Sequence, residues 1–426
     1  MTVIDLGELR DSGPQPSGPA PRSVGRPLRL VLALACSLLV LAGAAPVPHR
    51  AGFVLPAPLG TSVLLHDGEV FLLEPGVAPA APGRLSAWTI PTSSGARPVR
   101  RWQVPVSVIS GSAQLRWHAD LVLLTGSSGR PDGEFRTFAH ARDTGRVRWQ
   151  RAGSGLSAGP DLLFEDGADG PPTVHSVDPG TGKDRWSVTM PSVVTQYRHR
   201  ADGVDRIVAV RPGGQVEVWD ARRGVRLHTA SLDRAGSPSG TYGVVGDLLL
   251  VVELNSDRLT GYDVDGLTHR WDVPWWVPSF FVPCGPLICA QGEAGGVRAL
   301  DPATGRTVWR DNRWELSGAE RGGRMLASSL GRGVWHPLVV LDVASGRAAA
   351  ELGVWNLVQP ATTAGPMLGL RPSGEGRMLV ADLDVAAARA RVLDVLPAVS
   401  GDCQTDAELL LCRLLDGAFG VWRLPR

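Results

Sequence analysis

Asp301-Pro-Ala-Thr304-Gly305-Arg-Thr-Val-Trp309 follows the apolar run Val297-Arg-Ala-Leu300, and this succession of acidic corner, glycine and tryptophan decides the fold. Asp178-Pro-Gly-Thr181-Gly182-Lys-Asp-Arg-Trp186 repeats it at the same spacing, and Asp143-Thr144-Gly145-Arg-Val-Arg-Trp149 shortens it by two residues. Asp263 with Gly266 and Trp271 shifts the glycine by one, whereas Asp220 with Gly224 and Asp342 with Gly346 keep the corner and lose the tryptophan. With a weaker copy at Asp382 the corners recur about every 40 residues, and a unit of that size cannot bury its apolar face without neighbours.

The text between corners excludes a helical solenoid. It reads as short β-type runs, such as Arg206-Ile-Val-Ala-Val210, Gln215-Val-Glu-Val-Trp219 and Leu248-Leu-Leu-Val-Val-Glu253, punctuated by Gly, Pro and Asp. Beyond residue 60 no stretch sustains an apolar period of 3.6, and Asp384 to Arg391 reads as a long corner despite its alanines. In the motif itself, Asp and Thr can hydrogen-bond the backbone of a tight turn and Gly supplies a positive φ. The following Trp falls on the outer strand, where its ring can wedge between neighbouring units and its N–H can meet a backbone acceptor.

These residues at this spacing resemble the tryptophan-docking repeat of the PQQ-like β-propellers, over roughly residues 60 to 426. That family includes quinoprotein alcohol dehydrogenases and the propeller lipoprotein of the outer-membrane barrel-assembly machinery. The resemblance implies an all-β propeller of eight blades, with seven as the alternative. Degenerate strand sets over Glu69 to Trp102 and Ala407 to Trp422 add to the seven corners, and together they exceed what eight full blades need, so one set is expected to be split between the two ends of the chain. Fold alone does not fix chemistry.

Residues 1–27 are polar and rich in Pro and Gly, the composition of a disordered tail. Leu30 to Ala45 is then uninterruptedly apolar, preceded by Arg29 and followed by His49-Arg50. Two readings stay open. An uncleaved single-pass anchor over 28–48 places the tail in the cytosol, by the positive charge before the span, and a propeller over 61–426 outside, joined by a linker over 49–60. A cleaved signal peptide, with Ala42-Gly43-Ala44 as its processing site, gives a secreted protein instead. Either way the body is exported, and Cys284 with Cys289 and Cys403 with Cys412 form two close pairs suited to local disulfides in an oxidising compartment.

Lys183 is the one lysine among 43 basic residues, and with abundant Ala, Gly and Pro this is the composition of a GC-rich, actinobacterial type of genome. A formal charge of +1 leaves no basic stripe for nucleic acid.

The search for chemistry yields little. The quinoprotein resemblance would imply PQQ stacked on a Trp against adjacent cysteines, with Ca²⁺ held by Glu, Asn and Asp. No adjacent Cys pair exists, and the chain holds Asn only at positions 255, 312 and 356, so no cofactor is expected. Gly155-Leu-Ser157-Ala-Gly159 has the nucleophile-elbow pattern, but Pro160 and Leu162-Leu-Phe164 follow where a helix is required. Gly180-Thr-Gly182-Lys183 lacks the remainder of a phosphate loop and belongs to the repeat. The nine His show no metal-ligand spacing, and Asp166 with Asp169 and Asp263 with Asp265 fit no Ca²⁺ loop.

One stretch departs from the repeat. Trp275, Trp276, Phe280 and Phe281, with three Pro between Trp271 and Cys284, make the most aromatic connection in the chain. These rings either bury in the passage to the next unit or form an aromatic binding surface. The function expected is a non-enzymatic extracytoplasmic platform that binds an envelope protein; the alternative is a small-ligand sensor or oxidoreductase using the central channel.

Overall fold

The computed structural model describes residues 52–76, 81–92, 96–107, 113–127, 135–166, 171–232, 240–252, 258–274, 278–329, 336–360, 365–374 and 376–424. The expected tail and anchor over 1–48 lie outside them, and among the described residues no helix is long and apolar enough to cross a membrane.

Every regular element among the described residues is a β-strand. Six four-stranded antiparallel meanders succeed one another over 62–106, 114–152, 154–189, 194–231, 241–274 and 278–311, here numbered units 1 to 6. The remaining strands form an eleven-stranded sheet that the register divides into three further meanders. Ala348–Pro360 ends unit 7 (314–355) by pairing with His336–Asp342. It then opens unit 8 (356–397) as Asn356 to Val358 pair with Leu368–Pro372. Unit 9 begins at Val399–Asp406 and takes its fourth strand, Phe53–Leu55, from the other end of the chain, with Phe53 opposite Val421. The linker expected over 49–60 thus contains a strand, and the split strand set expected from the sequence is present.

First strands of neighbouring units touch one another, whereas fourth strands present mostly exposed residues, so the meanders are arrayed as in a propeller. The array closes on itself. Leu65 N–H donates to Gln404 Oε1 at 2.9 Å, and Gln404 Nε2 donates to the Val63 carbonyl at 2.9 Å, tying the first strand of unit 9 to that of unit 1. Second strands carry continuous apolar runs such as Leu248–Val252 and residues 121–124, buried on both faces between adjacent sheets.

The corners explain the repeat. Asp178 Oδ1 accepts from Thr181 N–H at 2.9 Å, Asp301 Oδ1 from Ala303 N–H at 2.8 Å and Asp342 Oδ1 from Ser345 N–H at 2.9 Å. The glycine four residues after the Asp is left-handed, with φ of 69° at Gly182, 70° at Gly305 and 69° at Gly346. Onto it docks the tryptophan of the preceding unit. Trp149 Nε1 donates to the Pro179 carbonyl, Trp271 Nε1 to Pro302 and Trp309 Nε1 to Val343, at 2.7, 2.9 and 2.7 Å. A Cβ on Gly182, Gly305 or Gly346 would fall 2.3–2.5 Å from the docked ring, so glycine is required for space as well as for φ.

Three details correct the sequence reading. In unit 2 the backbone bond of the corner runs from Gly145 N–H to the Ala141 carbonyl, so Ala141 stands where Asp178 stands and Asp143 lies within the turn. The last corner turns at Asp384, whose Oδ1 accepts from Ala387 N–H, while Asp382 belongs to the strand before it. At Asp263 the left-handed residue is Leu267, with φ 50°, not Gly266. Leu267 is admissible because unit 4 carries no docking tryptophan. His228 occupies that place opposite Val218, and Leu267 fills the seam with its own buried side chain.

Candidate functional site

The aromatic stretch divides when folded. Trp275 and Trp276 lie outside the described residues. Phe281 turns toward unit 5, packing on the cluster of Leu250, Trp271 and Ile288 and against Gly243. Phe280 turns the other way and is 43% exposed. This alternation follows from the strand Pro278–Cys284, whose successive side chains take opposite faces.

Phe280 borders an apolar cleft of about 570 Å³ between the first strands of units 6 and 7, lined also by Val282, Pro283, Leu316, Met325 and Glu320. The cleft exists because Trp314–Arg321 bulges. Leu316 pairs with Ala327 and Glu320 with Met325, leaving residues 317–319 to span a single partner position. On one side of the bulge Gln291 Oε1 accepts from Leu316 N–H at 2.9 Å, and within it Ser317 Oγ donates to Ser328 Oγ at 2.8 Å. At the other end Glu320 Oε1 accepts from Gly323 N–H at 2.6 Å and supplies a carboxylate to the lining.

Under the cleft lies a disulfide. Cys284 and Cys289 are joined with a Cα separation of 5.8 Å across the Gly285-Pro286 reversal, are fully buried, and pack with Met325. The bond is diagonal, since Cys284 faces Leu287 and Cys289 faces Val282 in the ladder. Cys403 and Cys412 are joined likewise in unit 9, at a Cα separation of 4.1 Å.

Asp178, Asp263 and Asp301 sit at corners and Trp149, Trp186 and Trp271 dock at seams between units, whereas Trp309 packs in the same cluster as Cys284, Cys289 and Met325, and Asp143 lies within the unit 2 corner. The nucleophile-elbow segment forms a hairpin instead of a strand-to-helix turn. Ser157 Oγ does meet His118 Nδ1 at 2.9 Å, with burial holding the imidazole below its ordinary pKa. No carboxylate hydrogen-bonds the other ring nitrogen of His118, so nothing orients the ring as a catalytic base requires. Among the described residues no group of three or more His, Cys, Asp or Glu could hold a metal ion. The cleft therefore offers apolar contact with one carboxylate at its edge.

The bulge that opens the cleft escaped sequence reasoning. Ser317-Gly318 carried a faint signal, because a glycine inside a strand pattern marks a bulge or a close approach.

No family model and no curated protein matches the sequence. Among solved structures the chain is similar to BamB from Moraxella catarrhalis, with 14% identity, a TM-score of 0.40, and coverage of 89% of this chain and 98% of that one. It is similar to the computationally designed Ika8 protein at 12% identity and TM-score 0.46, covering 73% and 96%. It is also similar to the C-terminal WD40 domain of Sif2 at 9% identity and TM-score 0.45, covering 89% and 99%.

Proposed function

We propose that this chain is a non-enzymatic, extracytoplasmic β-propeller that binds an envelope protein through the cleft between units 6 and 7. The observation that carries the reading is Phe280, a large apolar ring left 43% exposed at the mouth of an apolar cleft. Exposed aromatic anchors beside a pocket are where binding energy concentrates. A partner segment presenting an apolar side chain, with a basic residue for Glu320, fits this lining. Two disulfides support an oxidising compartment, and the apolar segment Leu30 to Ala45 supports attachment to a membrane with residues 1–29 inside. The pairing pattern favours counting each meander as a blade, nine in all, over the eight implied by resemblance.

The test is a photo-crosslinking residue placed at position 280 of the full-length chain in its own cells, with position 227 on the outer edge as control. A discrete adduct with an exported protein, formed only from 280 and lost on Glu320→Arg, supports the reading. Equal labelling from both positions rejects it.

A further inference from the structure

Asp394 is 2% exposed, and its Oδ2 is buried with no hydrogen-bond partner, while Oδ1 accepts from Val395 N–H at 2.7 Å. It stands at a particular place in the repeat. In unit 8 Asp394 pairs with Val380 immediately before a register shift, as Trp309 pairs with Ala299 before the shift in unit 6. Asp394 therefore occupies the position of a docking tryptophan. The corner that such a tryptophan would meet is interrupted. Unit 9 takes its third strand from Phe419–Arg423 and its fourth from Phe53–Leu55, so no continuous turn joins them.

What remains at this seam is a cavity of about 230 Å³ lined by Asp394 together with Phe53, Val54, Leu396, Pro397, Leu414 and Trp422. Two of these walls are aromatic and the rest are apolar, so among the described residues Asp394 brings the only ionisable side chain to the lining. A carboxylate removed from water and left without a counter-charge costs several kcal/mol, a cost offset when a cation is seated beside it. Aromatic faces add attraction for the same charge. We propose that this cavity seats one organic cation, an ammonium or guanidinium group on an apolar stem, with Asp394 Oδ2 as its counter-ion and Trp422 and Phe53 as walls.

That chemistry has two sources. One is a free amine or guanidine compound. The other is this chain's own Arg50, which precedes the cavity-lining Gly52 by two residues in sequence and lies outside the described residues. The cleft at Phe280 plays no part in the inference.

The purified full-length chain is titrated calorimetrically with butylammonium and butylguanidinium, with butanol as the neutral control. Wild type, Asp394→Asn, Arg50→Ala and the double variant are compared. Cation binding by wild type that weakens at least about tenfold in Asp394→Asn, the scale of a lost charge-assisted hydrogen bond, assigns the seat to a free ligand. A silent wild type, with binding that appears in Arg50→Ala and disappears in the double variant, assigns it to the internal arginine. Either result supports the proposal. Val54→Trp, which should block the cavity from its exposed wall without touching the carboxylate, replaces Asp394→Asn if that variant fails to fold. The proposal is overturned if neither wild type nor Arg50→Ala binds a cation in preference to butanol. It is equally overturned if binding is indifferent to both Asp394→Asn and Val54→Trp.

Discussion

Arg198 Nη1 donates to Asp265 Oδ2 at 3.0 Å across the seam between units 4 and 5, the seam at which unit 4 supplies no docking tryptophan. The same guanidinium grips Asp205 with two bonds of 2.8 and 2.7 Å and reaches Asp247 at 3.1 Å, while Arg206 Nε donates to Asp265 Oδ1 at 2.7 Å. Only 3% of the Arg198 side chain is exposed. An ionic lattice thus joins these units alongside Leu267, where an indole ring and one hydrogen bond serve at Trp149, Trp271 and Trp309.

Truncating Arg198 should expose this dependence. Arg198→Met leaves three carboxylates without their shared cation, and because Asp247 and Asp265 are largely exposed and keep Arg200 and Arg206 as partners, we expect a loss of about 1 kcal/mol. Urea denaturation measures it. A change within experimental error would show that Leu267 and its neighbours hold the seam without the lattice.

The lattice should also fail in acid. Burial pushes the Asp265 and Asp205 carboxyls up, but hydrogen bonds and charge from Arg198, with Arg206 beside it, hold both below the ordinary carboxylate range. A group with a depressed folded pKa contributes stability above its unfolded value, and loses it as pH falls through the folded one. Stability should therefore drop below about pH 4, where free Asp titrates. Asp265→Asn should flatten that drop, and thermal melts of the two proteins from pH 7 to 2.5 compare them directly. Parallel curves would refute the assignment.

Corner glycines and their leucine substitute should each resist exchange, for different reasons. Gly305→Ala sets a Cβ 2.3 Å from the Trp271 ring at φ 70°, and we expect more than about 2 kcal/mol of destabilisation. Leu267→Gly relieves a left-handed conformation and empties the seam. The lost burial outweighs the relief, for a net cost of about 1–2 kcal/mol. Stabilisation by Leu267→Gly would mean that Leu267 does not fill the tryptophan's place.

The Cys284–Cys289 bond closes a loop too short to restrict the unfolded chain much. Cys284→Ser should lower the melting temperature modestly while raising protease cleavage between Trp271 and Cys284, read by peptide mapping. Alkylation of both thiols in unreduced wild-type protein would remove the premise.

The repeat was legible in sequence because its chemistry is local. Asp, Gly and Trp act within nine residues, and their spacing survives in Asp178 to Trp186 and Asp301 to Trp309. Where one member is replaced, reading by side chain misplaces the corner. Ala141 makes the same backbone bond as Asp178 without a carboxylate, and Asp143 drew the alignment two residues away. Phe53–Leu55 is too short for any periodicity, and only Val421 and its neighbours make it a strand. The cleft depends on a bulge in one strand meeting Phe280 of another unit. The alternation that sends Phe280 outward and Phe281 inward depends on a strand boundary that three prolines obscured.

Pairing of Phe53–Leu55 with Phe419–Arg423, and of Leu65 with Gln404 at a sequence separation of 339, has a consequence in time. As the chain is made, Phe53–Leu55 emerges long before its ladder partner Phe419–Arg423 exists. Its unpaired edge must wait through the synthesis of every intervening unit, a contact of the kind that slows folding. Each unit can meanwhile settle against the one before it, so assembly resembles an open stack that becomes a ring in one final event. Inter-chain capture of that waiting edge is the hazard in the interval, and ring closure ends it.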